Sequence, residues 1–301
     1  MYYITEREVN DNFDMKTAIE AVRDGFMEYY KNDAGADSRL RTYSASSVLS
    51  TMPAFINKYN VSGLKTYIST KTGTRFVVLL FDIRSSDLIA IIEANKLGQV
   101  RTGAVTALAT SILHRNCSKF TLIGSGFQAE TQLEGLLAIS DPEEVRIFSK
   151  TPSHAKDFAE RMSRRFGRDL KYYDDLKQAL NGADVISTIT SSQEPVLKDV
   201  SFLHEYHLNL SGSNILTRRE ASREVIEDAD LVVVEHLEQS LRESAEIADF
   251  ISKGGKVVEL KTVIGERARF SGNKKTIFKS MGIGLEDVAS AYYLLRKMGL
   301  T

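Results

Sequence analysis

The chain has 301 residues and a mass of 33.6 kDa, which suits about two domains of ordinary size. Lys plus Arg number 39 against 40 Asp plus Glu, so the net charge of −1 excludes a strong electrostatic footprint for nucleic acid or an anionic membrane. The longest uninterrupted apolar run, Phe76 to Phe81, is far below the ~18 residues of a membrane helix, and the acid-bearing start MYYITEREVND does not read as a secretory signal. The single cysteine, Cys117, excludes a disulfide framework and a Cys-based zinc cluster, and makes a reducing, cytoplasmic location the expectation.

Along the chain, Asp14 is a cap for a helix over 14–31, where Met15, Ile19, Val22 and Phe26 recur at helical spacing. Residues 38–81 read as strand-rich, with Phe76–Phe81 a buried strand and Leu88–Ile92 its return partner. Thr102–His114 is Ala- and Leu-rich and reads as a helix. From Asn116 short apolar strands alternate with amphipathic helices: strands at Lys119–Gly124, Val145–Ser149, Leu170–Tyr173, Ala183–Thr190, His207–Gly212 and Leu231–Glu235, helices at Phe127–Ile139, Ser153–Phe166 and Asp174–Leu180. Such alternation implies a parallel sheet covered by helices on both faces. A last helix, Leu285–Met298, follows this region and is placed to return to the first domain.

The clearest chemical motif is Gly124-Ser125-Gly126-Phe127-Gln128-Ala129, a G-x-G-x-x-A between a strand and a helix. Gly124 permits the tight turn, Gly126 lets the backbone approach a pyrophosphate, and Ala129 keeps helix and strand close. The helix N-terminus then offers unpaired N–H groups to the anion. The competing reading is a plain structural glycine turn. NAD-binding domains usually end the next strand in an acid that accepts from the ribose 2′-OH. Here that strand is followed by Ser149, Lys150 and Thr151, which suit a 2′-phosphate, so NADP(H) is expected to be preferred, with NAD(H) as the second cofactor. The competing reading of Lys150 is a solvated loop lysine.

Arg41-Thr42, Met52-Pro53-Ala54, Gly63-Leu64-Lys65, Arg101-Thr102-Gly103-Ala104, IGSGFQAE (123–130), ADVISTIT (183–190), LSGSN (210–214) and KTIFKSMGIGLEDVA (275–289) occur in an order and at separations that resemble the ornithine cyclodeaminase/mu-crystallin family. The resemblance implies an α/β fold in which a Rossmann dinucleotide-binding domain (115–269) is inserted into an α+β substrate and dimerisation domain (1–114 plus 270–301). It implies a homodimer acting on a small imino or amino acid with a nicotinamide cofactor. Carried over by position, Arg41, Lys65 and Arg101 surround the substrate carboxylate, with Met52 and Met281 beside the substrate. Arg101, Thr102, Phe127, Gln128, Thr190, Ser211, Arg218 and Ser280 fall at cofactor positions. Several cations in a partly dry cleft hold a carboxylate through charge-assisted bonds. The plain alternatives are surface salt bridges for the cations and core filling for Met281.

One departure separates branches of the family. The cyclodeaminases and related archaeal alanine dehydrogenases carry an aspartate where this chain has Asn214. An amide cannot take up a proton near neutral pH, so deamination or cyclisation of ornithine should be crippled. Mu-crystallin-type ketimine reductases also lack that aspartate, and the chain resembles them further over 240–265 and 274–291. A cyclic ketimine already contains its C=N bond, and hydride transfer to the iminium needs no carboxylate base. The expectation is an NAD(P)H-dependent reductase of Δ1-pyrroline-2-carboxylate or Δ1-piperideine-2-carboxylate, with Lys65 orienting substrate or relaying a proton beside Asn214. The rivals are an ornithine cyclodeaminase or amino-acid dehydrogenase, and a non-catalytic binder of NADPH or a small ligand. No metal is expected: His204 and His207 stand three apart without a completing set and are assigned to surface or capping roles. Cys117 is expected to be a packed small residue, Arg161–Arg168 a solvated helix face, and Glu243 and Glu246 supporting or loop acids, with a wet surface the alternative.

Overall fold

The computed structural model of the chain describes residues 1–114 and 116–301 and divides into two compact units, Met1–Val105 with Gly282–Thr301, and Thr106–Met281. The first unit opens with β1 (Tyr2–Ile4) and α1 (Glu6–Asn12), where Thr5 and Glu8 form a reciprocal capping box. The helix expected over 14–31 is α2 (Met15–Tyr30), and Asp14 caps it by accepting from Thr17 N at 2.8 Å. Six strands follow: β2 (Ala34–Ala36), β3 (Leu40–Tyr43), β4 (Ser47–Ile56), β5 (Val61–Thr70), β6 (Gly73–Asp82) and β7 (Leu88–Glu93). They form a sheet in the order β1-β7-β6-β5-β4-β2, with β3 also on β4, and all pairs antiparallel except β1 with β7. Period-two alternation turns Ser50, Met52, Ala54 and Ile56 of β4 inward and leaves Leu49 and Phe55 outward. The outward face is apolar across four strands: the row Pro53, Leu64, Leu79 and Ile91 is half-buried, and Leu49 and Ile68 are exposed beside it.

The helix read as 102–114 begins earlier, as α3 (Asn95–Leu113). The second unit then alternates β8 (Lys119–Ile123), α4 (Ala129–Ile139), β9 (Glu144–Phe148), α5 (Pro152–Phe166), β10 (Lys171–Tyr173), α6 (Leu176–Leu180) and β11 (Val185–Thr188). After these come β12 (Tyr206–Leu210), α7 (Arg223–Glu227), β13 (Leu231–Val234), α8 (Leu237–Glu243), α9 (Ala245–Ser252), β14 (Val257–Glu259), α10 (Leu260–Gly265) and β15 (Lys275–Lys279). The sheet is wholly parallel in the order β10-β9-β8-β11-β12-β15-β13-β14. Its two faces carry separate cores, one with Leu133, Leu136, Phe158 and Met162 of α4 and α5, the other with Leu180, Val225, Ile226 and Ile247 of α6, α7 and α9. Chain reversal lies between β8 and β11, the strand pair at which a doubly wound sheet opens its ligand crevice.

The units meet the expected domains at shifted borders. β15 was not read from sequence, because KTIFK has polar ends and only two strong apolar residues. It nevertheless lies between β12 and β13, with Thr276 to Lys279 buried. The second unit therefore runs on to Met281, past the expected border at 269/270. At the other border the units divide at Val105, before the expected 114/115, and Arg115 lies outside the described residues. The final helix, α11 (Gly284–Lys297), belongs to the first unit, where it packs on α2, β4 and β5.

Candidate functional site

In the first unit, a buried charged group forms where α11 starts. Lys65 on the inner face of β5 is 3 % exposed, and its Nζ lies 2.9 Å from Asp287 Oδ1. Arg101 on α3, 5 % exposed, donates from Nε to the same oxygen at 3.0 Å and from Nη1 to Glu286 Oε2 at 2.5 Å. Arg39 joins them: its Nη2 donates to Gly282 O at 3.1 Å and its Nε contacts Met52 Sδ at 3.2 Å, while its charge acts on Lys65. Three cations and two carboxylates are thus gathered in one buried group. Burial first, and then the charge of Arg101, push Lys65 down to about 8 against the opposing pull of Asp287. Asp287 Oδ2 is buried without a hydrogen-bond partner among the described residues.

The expected trio is Arg41, Lys65 and Arg101, and a further arginine lies beside the last two. Arg41 sits half-buried on β3 opposite Ser50 of β4, and the deeply buried guanidinium is that of Arg39. The two lie two apart, Arg39 just before β3 and Arg41 within it, so R-x-R spacing alone does not separate them. Met52 is fully buried beside Arg39. Thr102 spends its hydroxyl on Gly98 O at 2.8 Å, within α3. Glu286 and Asp287 lie in the first turn of α11, where acids are favourable near a helix N-terminus. Only their burial shows that they position Arg101 and Lys65.

In the second unit, the G-x-G-x-x-A turn joins β8 to α4 as expected. Gly124 has φ +118°, and a Cβ there would lie 2.5 Å from Ile189 O, so strand ends β8 and β11 approach only because the residue is glycine. Gly126 is open: nothing lies within 4 Å of where its Cβ would be. Phe127 is 65 % exposed, and Gln128 Oε1 is buried with no partner among the described residues. Ser211 Oγ, beyond β12, is in the same state. A backbone turn open at its second glycine, with two orphaned acceptors at expected cofactor positions, fits a dinucleotide. Ser149, Lys150 and Thr151 occupy the loop from β9 to α5, with Thr151 at the helix N-cap and Lys150 exposed. No acid ends β9, whose last residue is Phe148.

The remaining expected residues lie at the carboxyl ends of the same sheet. Thr190 follows β11, and its N and Oγ1 donate to Glu220 Oε1 at 2.7 and 3.0 Å. Asn214 and Arg218 are half-buried in the segment after β12. Ser280 and Met281 close β15: the Ser280 hydroxyl donates to Glu235 Oε1 at 2.8 Å and Met281 N to Glu235 Oε2 at 2.5 Å. The sequence reading missed Glu220 and Glu235, which sit among ordinary charged residues and betray themselves only by complete burial. Glu243 and Glu246 are not on a wet surface, being 2 % and 4 % exposed. Burial alone would raise Glu246, but the charge of Lys279 and the backbone N–H groups of Glu220 and Ala221 hold it below the usual carboxylate range. Burial raises Glu220.

His207 departs from its expected surface or capping role. It is fully buried on β12, bonded to Thr276 Oγ1 at 2.8 Å and Asn209 Oδ1 at 3.1 Å, and burial pushes its pKa down to about 3. His204 is exposed. Cys117 packs against the α4–α5 core, and burial pushes its thiol up to about 12. On the exposed face of α5, Arg161 and Arg165 pair with Glu130 and Glu134 of α4.

A family model described as ornithine cyclodeaminase/mu-crystallin family matches residues 2–298. The chain belongs to this family. Among curated members, it is 32 % identical over 229 residues to a Delta(1)-pyrroline-2-carboxylate reductase of Bacillus cereus, covering 73 % of this chain and 70 % of that protein. It is 31 % identical over 215 residues to the ketimine reductase mu-crystallin of Mus musculus, covering 71 % of this chain and 66 % of that protein. Among solved structures, the Thermococcus litoralis Delta(1)-pyrroline-2-carboxylate reductase in complex with NADH and L-proline superposes with a TM-score of 0.90 at 25 % identity, covering 99 % of this chain and 97 % of that one. Among the described residues, no helix is long and apolar enough to cross a membrane.

Proposed function

We propose that this family member is an NAD(P)H-dependent reductase of small cyclic imino acids, converting Δ1-pyrroline-2-carboxylate or Δ1-piperideine-2-carboxylate to proline or pipecolate. The observation that carries the reading is the gathering of three buried cations, Arg39, Lys65 and Arg101, with Glu286 and Asp287 holding two of them in place. Several cations held together in a buried setting suit a substrate carboxylate, which they grip through charge-assisted bonds. The two acids hold Lys65 and Arg101 in place, so little side-chain freedom is lost when the anion arrives.

The second unit supplies the cofactor grip. Gly126 leaves room for a pyrophosphate over the N-terminus of α4, Gln128 and Ser211 offer unspent acceptors, and Ser149, Lys150 and Thr151 suit a ribose 2′-phosphate, which favours NADPH. When bound, the reduced nicotinamide supplies the hydride. The chain's own residues then have modest duties: the cations fix the acid by its carboxylate, and burial excludes water from them. Asn214 stands where a carboxylate would be required to move a proton during amine chemistry. A substrate arriving as the iminium already carries its nitrogen proton, so an amide there does not obstruct reduction.

The test is NADPH oxidation with each of the two ketimines, with proline or pipecolate identified as product. Absence of turnover with both overturns the reading. Proline and ammonia formed from ornithine with NAD would replace it by the cyclodeaminase reaction, and tight NADPH binding without turnover by a ligand-binding role. We assign the open apolar face of the first unit, around Leu49, Leu64 and Ile68, to a second copy of the chain. Ile68→Glu should then convert a dimer to monomers in sedimentation equilibrium.

A further inference from the structure

Glu220 is an acid that nothing in the proposed reaction uses, yet it is buried completely at the carboxyl ends of the parallel strands. Its Oε1 accepts from Thr190 N at 2.7 Å and Thr190 Oγ1 at 3.0 Å, and its Oε2 accepts from Gly212 N at 2.6 Å. Thr190 lies just beyond β11 and Gly212 just beyond β12, so one side chain ties together the loops that leave two neighbouring strands. The loops touch: a Cβ at Gly212 would lie 2.2 Å from both N and O of Thr190. Glu220 is itself held rigidly. Its N–H donates to Glu246 Oε1 at 2.6 Å, its carbonyl accepts from Val196 N and Leu197 N at 2.9 Å each, and Glu246 pairs with buried Lys279 at 3.3 Å.

The position of this clamp in the sheet gives it a meaning. The phosphate turn opens at the end of β8, and β9, on one side of β8, ends in the loop facing the adenosine ribose. β11 and β12 lie on the other side of β8. A dinucleotide laid across the switch point therefore has its nicotinamide half over the loops after β11 and β12, which are the loops Glu220 joins. Thr190 and Ser211, both expected cofactor contacts, sit in those loops, and Asn214 stands two residues beyond Gly212.

We propose that Glu220 is a positioning residue that fixes the nicotinamide half of the cofactor by clamping the Thr190 and Gly212 loops, without touching the adenosine half. The inference rests on the reading of the protein as a nicotinamide-dependent enzyme. Two backbone N–H groups, of Thr190 and Gly212, and the Thr190 hydroxyl converge on the two oxygens of Glu220, and both oxygens accept. In Glu220→Gln one oxygen becomes an NH2 group, so whichever way the amide turns, Thr190 N or Gly212 N faces a donor in place of an acceptor, and the clamp weakens while the adenosine side, built on β8 and β9, is left alone.

The test measures dissociation constants of full-length wild type and E220Q for NADPH, by its own fluorescence, and for 2′,5′-ADP, which carries only the adenosine half. The chain contains no tryptophan to interfere. Where the wild type takes only the non-phosphorylated cofactor, the pair is NADH and ADP. The expected result is a dissociation constant for the dinucleotide raised about tenfold or more, with the half-ligand constant within about twofold of wild type. A general loosening of the unit would weaken both ligands alike, and that outcome overturns the proposal, as does no change in either. If E220Q is recovered unfolded, Glu220→Asp keeps the charge, shortens the reach, and should show the same selective loss at about threefold. Equal loss or no loss for E220D overturns the proposal, and so does its recovery unfolded. A wild type that binds neither dinucleotide defeats the cofactor reading itself, whereas a wild type that binds and variants that lose nothing selectively defeat only the role of Glu220.

Discussion

Replacing Lys65 by Met tests the anion group with little change of volume. The variant removes one cation from the buried group, and the ligand loses one charge-assisted donor. A hydrogen bond to a charged partner contributes about 1.5–3 kcal/mol, which at about 1.4 kcal/mol per tenfold corresponds to a KM raised roughly 10- to 150-fold. The fold should survive. Asp287 keeps Arg101 Nε at 3.0 Å, so the variant avoids the ~3–5 kcal/mol of an acid stripped of all partners, and the desolvation cost of the lysine disappears. The assay is steady-state reduction of Δ1-pyrroline-2-carboxylate at saturating NADPH, beside a thermal melt. A folded variant with unchanged KM refutes the carboxylate anchor. A fall in kcat at unchanged KM would instead show that Lys65 acts only in the transition state.

Three further outcomes are expected. Because burial holds Lys65 at about 8, binding of pyrrole-2-carboxylate, whose ring nitrogen does not titrate in this range, is strongest below pH 8 and weakens as the lysine loses its proton above it; Lys65→Arg should abolish that falling limb, and a pH-independent Kd in wild type refutes the assignment. Lys150→Ala should weaken NADPH at least about tenfold and leave NADH nearly unchanged, since only the former carries the 2′-phosphate; equal effects on both contradict the cofactor preference. Gly212→Ala should lower the melting temperature by several degrees, an overpacking cost of about 1–3 kcal/mol, because the new methyl meets the Thr190 backbone at 2.2 Å; an unshifted melt would show that the two loops are not packed as described.

The sequence carried the fold best where physics is local. Asp14 before a helical apolar stripe, and a glycine turn between a β-rich run and a helix, needed no tertiary context. β15 was illegible because its burial comes from two flanking strands rather than from its own composition, and the domain border moved with it. Among candidate site residues, the glycine turn, Lys65 and Arg101 are readable as motif members. Arg39 is hidden by its neighbour Arg41, two residues away. Glu220, Glu235, Glu286 and Asp287 carry no signal of burial in their own local sequence. What marks them is zero or near-zero exposure and the donors they collect, and those are properties of the folded chain.

The most direct measurement compares NADPH oxidation with Δ1-pyrroline-2-carboxylate and with Δ1-pyrroline, the same ring without its carboxylate. If buried cations select the substrate by its anion, kcat/KM for the acid should exceed that for the bare imine by about 100-fold or more, from two or more charge-assisted bonds. Equal rates for the two rings, or turnover of the bare imine alone, would contradict the account.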